Sequence, residues 1–307
     1  MRSPELIQRI QDSMTLLIES SDELRDLDQV LGDGDLGITI SAGARAVIEA
    51  LKAMPTEPEP APSDVARACA KAFANANPST MAALVAGGLL AGSKVWVGCE
   101  DITAVEAEAF IRAAATSISH RGKSQVGDKT ILDAMIPAVD SLARSIEANP
   151  AVASDSALAA AALDSAIVDA GEAVVATRDL QSQRGRASWL QDRSIGLQDP
   201  GATAFLRALE AWRDASTGER GPRAAVVENL RGCGFVSEGV GFPVGTPPPC
   251  LWIWTRPRPT SYPSPGLVLP VTQAQVVERV GEHRDDAVAV FKRQHREDSD
   301  ADQDRDD

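Results

Sequence analysis

Histidine and tyrosine are almost missing from this chain: His120, His283, His295 and one tyrosine occur in 307 residues. So few imidazoles exclude a histidine-rich metal centre. Aromatic residues make up only 4% of the chain, while alanine is abundant, a balance that favours closely packed helices over a β-sandwich. Basic residues are outnumbered, 30 Lys and Arg against 44 Asp and Glu, for a formal net charge of −14. Without a basic face, neither nucleic acid nor an anionic membrane is expected as a partner, and an anionic substrate would need a bound cation. The cysteines Cys69, Cys99, Cys233 and Cys250 form no C-x-x-C pair. Neither a disulfide framework nor a thiolate metal site is indicated, and buried free thiols in a reducing compartment are expected. The start, Met-Arg-Ser-Pro-Glu, has no apolar signal core, and no run approaches the roughly eighteen apolar residues of a membrane span. The expected location is cytoplasmic.

What the chain does have is an acidic stretch from Leu27 to Gly37. It holds Asp28, Asp33 and Asp35 together with Gly32, Gly34 and Gly37. Flanked by two amphipathic runs, it reads as a loop joining two helices. Carboxylates in this number suit a hard cation such as Mg²⁺ or Ca²⁺, and the glycines permit the positive φ that lets them converge. A capping turn is the competing reading, with Asp33 or Asp35 accepting from the first free N–H groups of the next helix. An EF-hand is disfavoured, because the twelfth position counted from Asp28 is Thr39 rather than glutamate.

Apolar residues at three- and four-residue spacing predict a helix over 4–24, carrying Leu6, Ile7, Ile10, Met14, Leu17 and Ile18, and another over 38–54. A proline-rich linker over 55–62 precedes a helix over 65–76, which stops at Asn77-Pro78. Residues 79–98 are small and apolar nearly all round, predicting a helix buried on most sides. Further helices are expected over 104–119, from Asp128 to Ile146, over 156–177 by alanine propensity, and over 203–212. The sum is about eight helices and no strand. Near residue 215 the composition shifts toward proline, and 216–307 reads as an irregular, Pro-rich, acid-tailed extension, partly disordered. One helix over 273–291 and an apolar segment, Leu251-Trp-Ile-Trp254, stand out within it.

Polar groups recur at helix ends throughout 1–215, where antiparallel helices would share one open end. Ser79 and Thr80 could offer hydroxyls and free N–H groups to a phosphate, or could simply cap a helix. Gly122 to Thr130 has the glycine, lysine and threonine of a phosphate loop without the Walker order or a preceding strand. A cap at Asp128 and a nucleotide contact both remain open there. Residues 184–201 bring Arg184, Arg186 and Arg193 into one loop that closes on Asp199-Pro-Gly, and arginine is suited to bidentate phosphate contact.

In this order, Leu27 to Gly37, Gly122 to Asp133, Gly185 to Gly196 and Asp199-Pro-Gly-Ala202 resemble the nucleotide-binding L subunit or domain of dihydroxyacetone kinases. The resemblance covers about residues 1–215. It implies an all-α fold, an antiparallel eight-helix barrel, with ATP or ADP and two Mg²⁺ at one end and Asp28, Asp33 and Asp35 as the metal ligands. Leu36, Gly37, Ile38, Thr39, Ser79 and Thr80 would face the phosphates, and Gly122 and Ile131 would border the base. Arg186 and the turn Asp199, Pro200, Gly201 would complete the nucleotide site.

The resemblance further implies a phosphotransferase with an alcohol group as acceptor. Phosphate would pass to dihydroxyacetone or another short-chain ketose or polyol held by a separate K-type subunit. The donor would be exchanged ATP, or ADP recharged by a phosphotransferase-system protein. Two other readings of the same likeness are a nucleotide-sensing module that binds a regulator without turnover, and an L-like domain of the fatty-acid kinase group. The sequence departs from the family pattern at Leu36, where His or Thr is usual, and at Thr39, where Asn is usual. It also carries Asn77-Pro78-Ser79-Thr80-Met81 in place of a Gly-Gly-Ser-Ser-Gly phosphate turn.

Overall fold

The structure, a computed structural model, describes residues 1–223. Nine α-helices and no strand occur among the described residues: α1 (Ser3–Ile18), α2 (Ser21–Leu31), α3 (Leu36–Lys52), α4 (Pro62–Ala76), α5 (Thr80–Val95), α6 (Ala104–Gly122), α7 (Leu132–Ala148), α8 (Ser156–Ala176) and α9 (Pro200–Thr217). Their starts follow local chemistry. Pro62 and Pro200 sit in the first turns of α4 and α9, and Thr103 with Glu106 forms a capping box at α6. Asp155 accepts from two N–H groups at the start of α8. No described helix is long and apolar enough to cross a membrane.

Packing runs α3 on α4, α4 on α5, and so on in sequence order to α9, which packs on α1, which packs on α3. Eight helices thus close a ring, and α2 stands beside it against α3 and α9. This is the all-α arrangement expected. Short connections make consecutive helices from α3 to α8 alternate in direction, so the start of α3, the end of α4, the start of α5, the end of α6, the start of α7 and the end of α8 share one end. Hydrogen bonds across that end agree: Asn77 after α4 donates to Thr39 in α3, and the N–H of Asp199 before α9 donates to Thr177 after α8. At the opposite end Arg2 reaches Glu59, and the backbones of Met1 and Ile102 bond reciprocally.

Several expected boundaries move. The single helix over 4–24 is two, because the N–H groups of Glu19 and Ser20 close tight bonds onto Leu16 and Leu17 and the axis breaks there. The apolar stripe hides the break by continuing through Leu24, Leu27 and Leu31, all buried on α2. That stripe also shortens the acidic loop to Gly32–Asp35 and leaves Asp28 on a helix. Asp128 opens no helix, since Gly127 (φ +95°) and Lys129 (φ +60°) are left-handed and α7 begins only at Leu132. Helix α5 is buried on one face rather than most, with Leu90 and Val95 exposed. Its small residues serve one close approach: a Cβ on Gly92 would lie 2.6 Å from the Phe110 ring of α6. The Leu251 to Trp254 segment, the helix over 273–291 and the acidic end lie outside the described residues.

Gly37 makes the tightest of these approaches. A Cβ there would fall 2.0 Å from the backbone oxygen of Ser21, where no side chain can swing away. Gly37→Ala is therefore expected to cost roughly 1–3 kcal/mol, read in thermal denaturation as a Tm lower by about 2–4 °C per kcal/mol. An unchanged Tm would show that α2 and α3 can separate freely.

Candidate functional site: a carboxylate cluster at the shared helix ends

Helix α2 is fixed before it delivers any ligand. Arg207 of α9, itself buried, donates Nε and Nη2 to the Glu23 carboxylate at 2.8 and 2.7 Å and Nη1 to buried Glu210 at 2.6 Å. This pair, buried at Arg207 and half-buried at Glu23, holds α2 against α9 and is costly to break from the glutamate side. Asp28 then projects from the last turn of α2. Its Oδ2 accepts from the N–H of Leu36 at 3.2 Å, and a Cβ on Gly32 would lie 2.6 Å from its Oδ1. Gly34 turns the chain at φ +77°. Capping of α3 thus falls to Asp28: Asp35 stands at the N-cap position but makes no side-chain capping bond.

Ligand oxygens of Asp28, Asp33 and Asp35 lie within 4.8 Å of one another. Three like charges at that separation repel, and burial first, then the charge of Asp28, raises the Asp35 carboxyl above its ordinary value. The Arg186 guanidinium contacts Asp33 and stands 3.8 Å from Asp35 Oδ2. It is a positive charge already drawn to the cluster. An all-oxygen, anionic donor set of this span fits a hard divalent cation, whose ligand distances of about 2.0–2.6 Å put its oxygens within reach of one centre.

The remaining predicted residues fall at the same end but in different roles. Leu36 is buried in the core and contributes its N–H, and Gly37 is buried against α2. Ile38 is exposed, and Thr39 is buried with its hydroxyl accepting from Asn77 at 2.8 Å. Ser79 caps α5 through the N–H of Ala82, and Thr80 is exposed beside it. Gly122 ends α6, and Ile131 is half-buried at the start of α7. Pro200 and Gly201 open α9, where a Cβ on Gly201 would sit 3.4 Å from the N of Ile131. Asp199 is buried and caps α9 through Ala202 at 2.7 Å. Arg184 is committed to Asp128 at 2.9 Å.

Sequence reasoning missed Lys129 and Asp133. Lys129 is buried, and its Nζ donates to the carbonyls of Leu180, Ser194 and Leu197 at 3.1, 2.6 and 2.6 Å. Asp133 accepts from the N–H groups of Gly127 and Thr130, both at 2.6 Å. The Gly, Lys and Thr of this loop suggested phosphate contact, yet the lysine turns inward.

Burial raises the Asp199 carboxyl to about 7, opposed by its bonds to Ala202 and Gly201 and raised further by Asp133. Burial likewise lowers the Lys129 ammonium. Between about pH 4 and pH 7 the folded state binds a proton at Asp199 that the unfolded chain, with an ordinary value of about 3.9, has released. This contribution to stability is therefore full at low pH and falls as pH rises toward 7. Asp199→Asn keeps an acceptor for Ala202 and is expected to flatten the fall in Tm between pH 4.5 and pH 7. A variant whose Tm declines as steeply as the parent's would remove Asp199 as the source.

Residues 30–214 match the DAK2 domain family. The ADP-binding subunit DhaL of the PEP-dependent dihydroxyacetone kinase of Escherichia coli is 31% identical over 199 residues, covering 62% of this chain and 86% of that subunit. The DhaL of a PEP-dependent dihydroxyacetone kinase of Listeria innocua is 35% identical over 185 residues, 60% of this chain and 82% of that one. The L-erythrulose 1-kinase of Mycolicibacterium smegmatis is 33% identical over 192 residues, and the match spans only 31% of its length. Among solved structures, the dihydroxyacetone kinase from C. freundii in complex with AMP-PNP and Mg²⁺ shares the fold, with a TM-score of 0.50 and 20% identity over 68% of this chain and 34% of that one. The chain belongs to the DAK2-domain family, the family of the DhaL-type L domains of dihydroxyacetone kinases.

Proposed function

We propose that this chain is the nucleotide-binding, phosphoryl-donating component of a dihydroxyacetone kinase-like phosphotransferase. The observation that carries the reading is the trio Asp28, Asp33 and Asp35, with ligand oxygens within 4.8 Å, at the end of a DAK2-type helical ring. These carboxylates would hold two Mg²⁺, which when bound would supply the positive charge that neutralises the nucleotide's phosphates.

The chain's own residues do the positioning. The Leu36 N–H fixes the Asp28 carboxylate, and Gly32 leaves it the room it needs. The free N–H groups at the starts of α3 and α5 present a partial positive charge at the same end, favourable to phosphate oxygens. Ile38, Thr80 and Gly122 would border the nucleotide there. Arg186, now against Asp33 and Asp35, is long enough to turn toward phosphate once a cation takes the carboxylates.

The acceptor would be a short-chain ketose or polyol seated on a separate K-type subunit, with ATP, or ADP recharged by a phosphotransferase-system protein, as donor. Support comes from the dihydroxyacetone and erythrulose kinases among the relatives. The apolar Leu36 is compatible with this role because it works through its backbone.

Two measurements test the reading. Asp33→Asn with Asp35→Asn is expected to weaken Mg²⁺-dependent ADP binding by at least about 100-fold in calorimetry, with the helical circular dichroism retained. Unchanged affinity would return the cluster to a structural role. Mixed with a K-type subunit, the protein is expected to phosphorylate dihydroxyacetone or erythrulose with ATP or a recharging system. Nucleotide binding without transfer under either donor would reduce the chain to a nucleotide-sensing module.

A further inference from the structure

Arg186 belongs to the connector between α8 and α9, which contains no α-helix. Two 3₁₀ turns, Thr177–Asp179 and Arg186–Ser194, are its regular structure, and the second is broken at Gln191 (φ +49°). Gly185 (φ +64°) and Gly196 (φ +87°) bend it further. Its two 3₁₀ turns are short, and Arg178 ties its ends through reciprocal bonds with the backbone of Gly196, so the path between is left to other contacts. Lys129 supplies such contacts. All three ammonium donors are spent on carbonyls of this connector, one before Arg186 and two after it. The neighbouring Asp128 adds to the grip, its carbonyl accepting from the N–H of Gln183 at 3.0 Å and its carboxylate from Arg184. Ser194 closes the base of the turn by accepting from the N–H of Ser182 at 2.9 Å.

The lysine is itself held in place. Its left-handed backbone, unusual for a residue with a side chain, lies between Gly127 and Thr130, whose N–H groups both bond to Asp133 of α7. A continuous chain of contacts therefore runs from α7 through Asp133 and Lys129 to the connector, and from Arg186 to the carboxylates between α2 and α3. A charge buried on three carbonyls, with Asp199 and Asp133 near enough to offset part of its burial, is an expensive way to tie a loop. Its return is direction: three converging acceptors fix one point in space, and the Arg186 turn hangs from it.

We propose that Lys129 is a positioning residue, which sets the path of the α8–α9 connector so that the Arg186 guanidinium reaches Asp33 and Asp35. Its bearing on nucleotide loading rests on the function proposed above; its action on the connector does not.

The test compares Lys129→Met, Arg186→Ala and the double variant in the full chain. Without metal, Lys129→Met is expected to raise the rate of tryptic cleavage after Arg184, Arg186 and Arg193 by about tenfold or more, identified by mass spectrometry. Cleavage after Arg112 and Arg144 within α6 and α7 should stay at the parent rate. Mg²⁺·ADP dissociation constants from calorimetry are expected to rise by about tenfold for each single variant, and by no more than the larger single effect for the double. Losses that multiply in the double variant would show that Lys129 acts independently of Arg186 and overturn the proposal. Equal acceleration of cleavage across the whole chain would overturn it also, by reducing Lys129 to general stability.

Should Lys129→Met fail to fold, Lys129→Arg keeps the charge while its planar fork cannot meet three converging carbonyls. It is expected to show the same site-selected cleavage, and parent-like cleavage would overturn the proposal. A parent protein that binds no Mg²⁺·ADP would sink the proposed function instead, and the cleavage pattern alone would then decide the role of Lys129.

Discussion

Mutual repulsion among Asp28, Asp33 and Asp35 is the constraint around which this end of the molecule is arranged. Three carboxylates with oxygens within 4.8 Å will not stay together unless the scaffold holds them and a positive charge faces them. The scaffold does so on both sides. Arg207 holds α2 through Glu23, Gly37 lets α3 close onto the backbone of α2, and the Leu36 N–H takes an oxygen of Asp28. Positive charge comes from the connector between α8 and α9, in Arg186.

Placing that arginine draws on the least regular part of the domain. The helical ring is stabilised by apolar burial and close alanine and glycine contacts. Its open end instead buries Lys129, Asp133 and Asp199. Each of these polar groups is satisfied by backbone partners, so the burial is tolerable, and burial raises the Asp199 carboxyl.

How much of this the sequence disclosed follows from the range of each interaction. Helices were legible because their apolar stripes repeat every three or four residues, and the carboxylate cluster because its three ligands lie within eight residues of each other. The break at Glu19 and Ser20 was hidden because one stripe runs through both helices. Lys129 was missed because its partners are carbonyls 51, 65 and 68 residues away, and a carbonyl leaves no mark on residue identity. Leu36 shows the same limit from the other side: its amide donates to Asp28 while its side chain joins the core, and only the side chain was legible.

The alternation of helix directions also creates a second, quieter end. The exposed Pro-rich stretch over 55–61 and the turn at Gly98, with nothing within 4 Å of where a Cβ would stand, both lie there, a helix length from Arg186. Surface turns of this kind accept inserted sequence readily. They offer attachment points for a fluorophore or an affinity handle, through which the carboxylate end could be observed or immobilised without being touched.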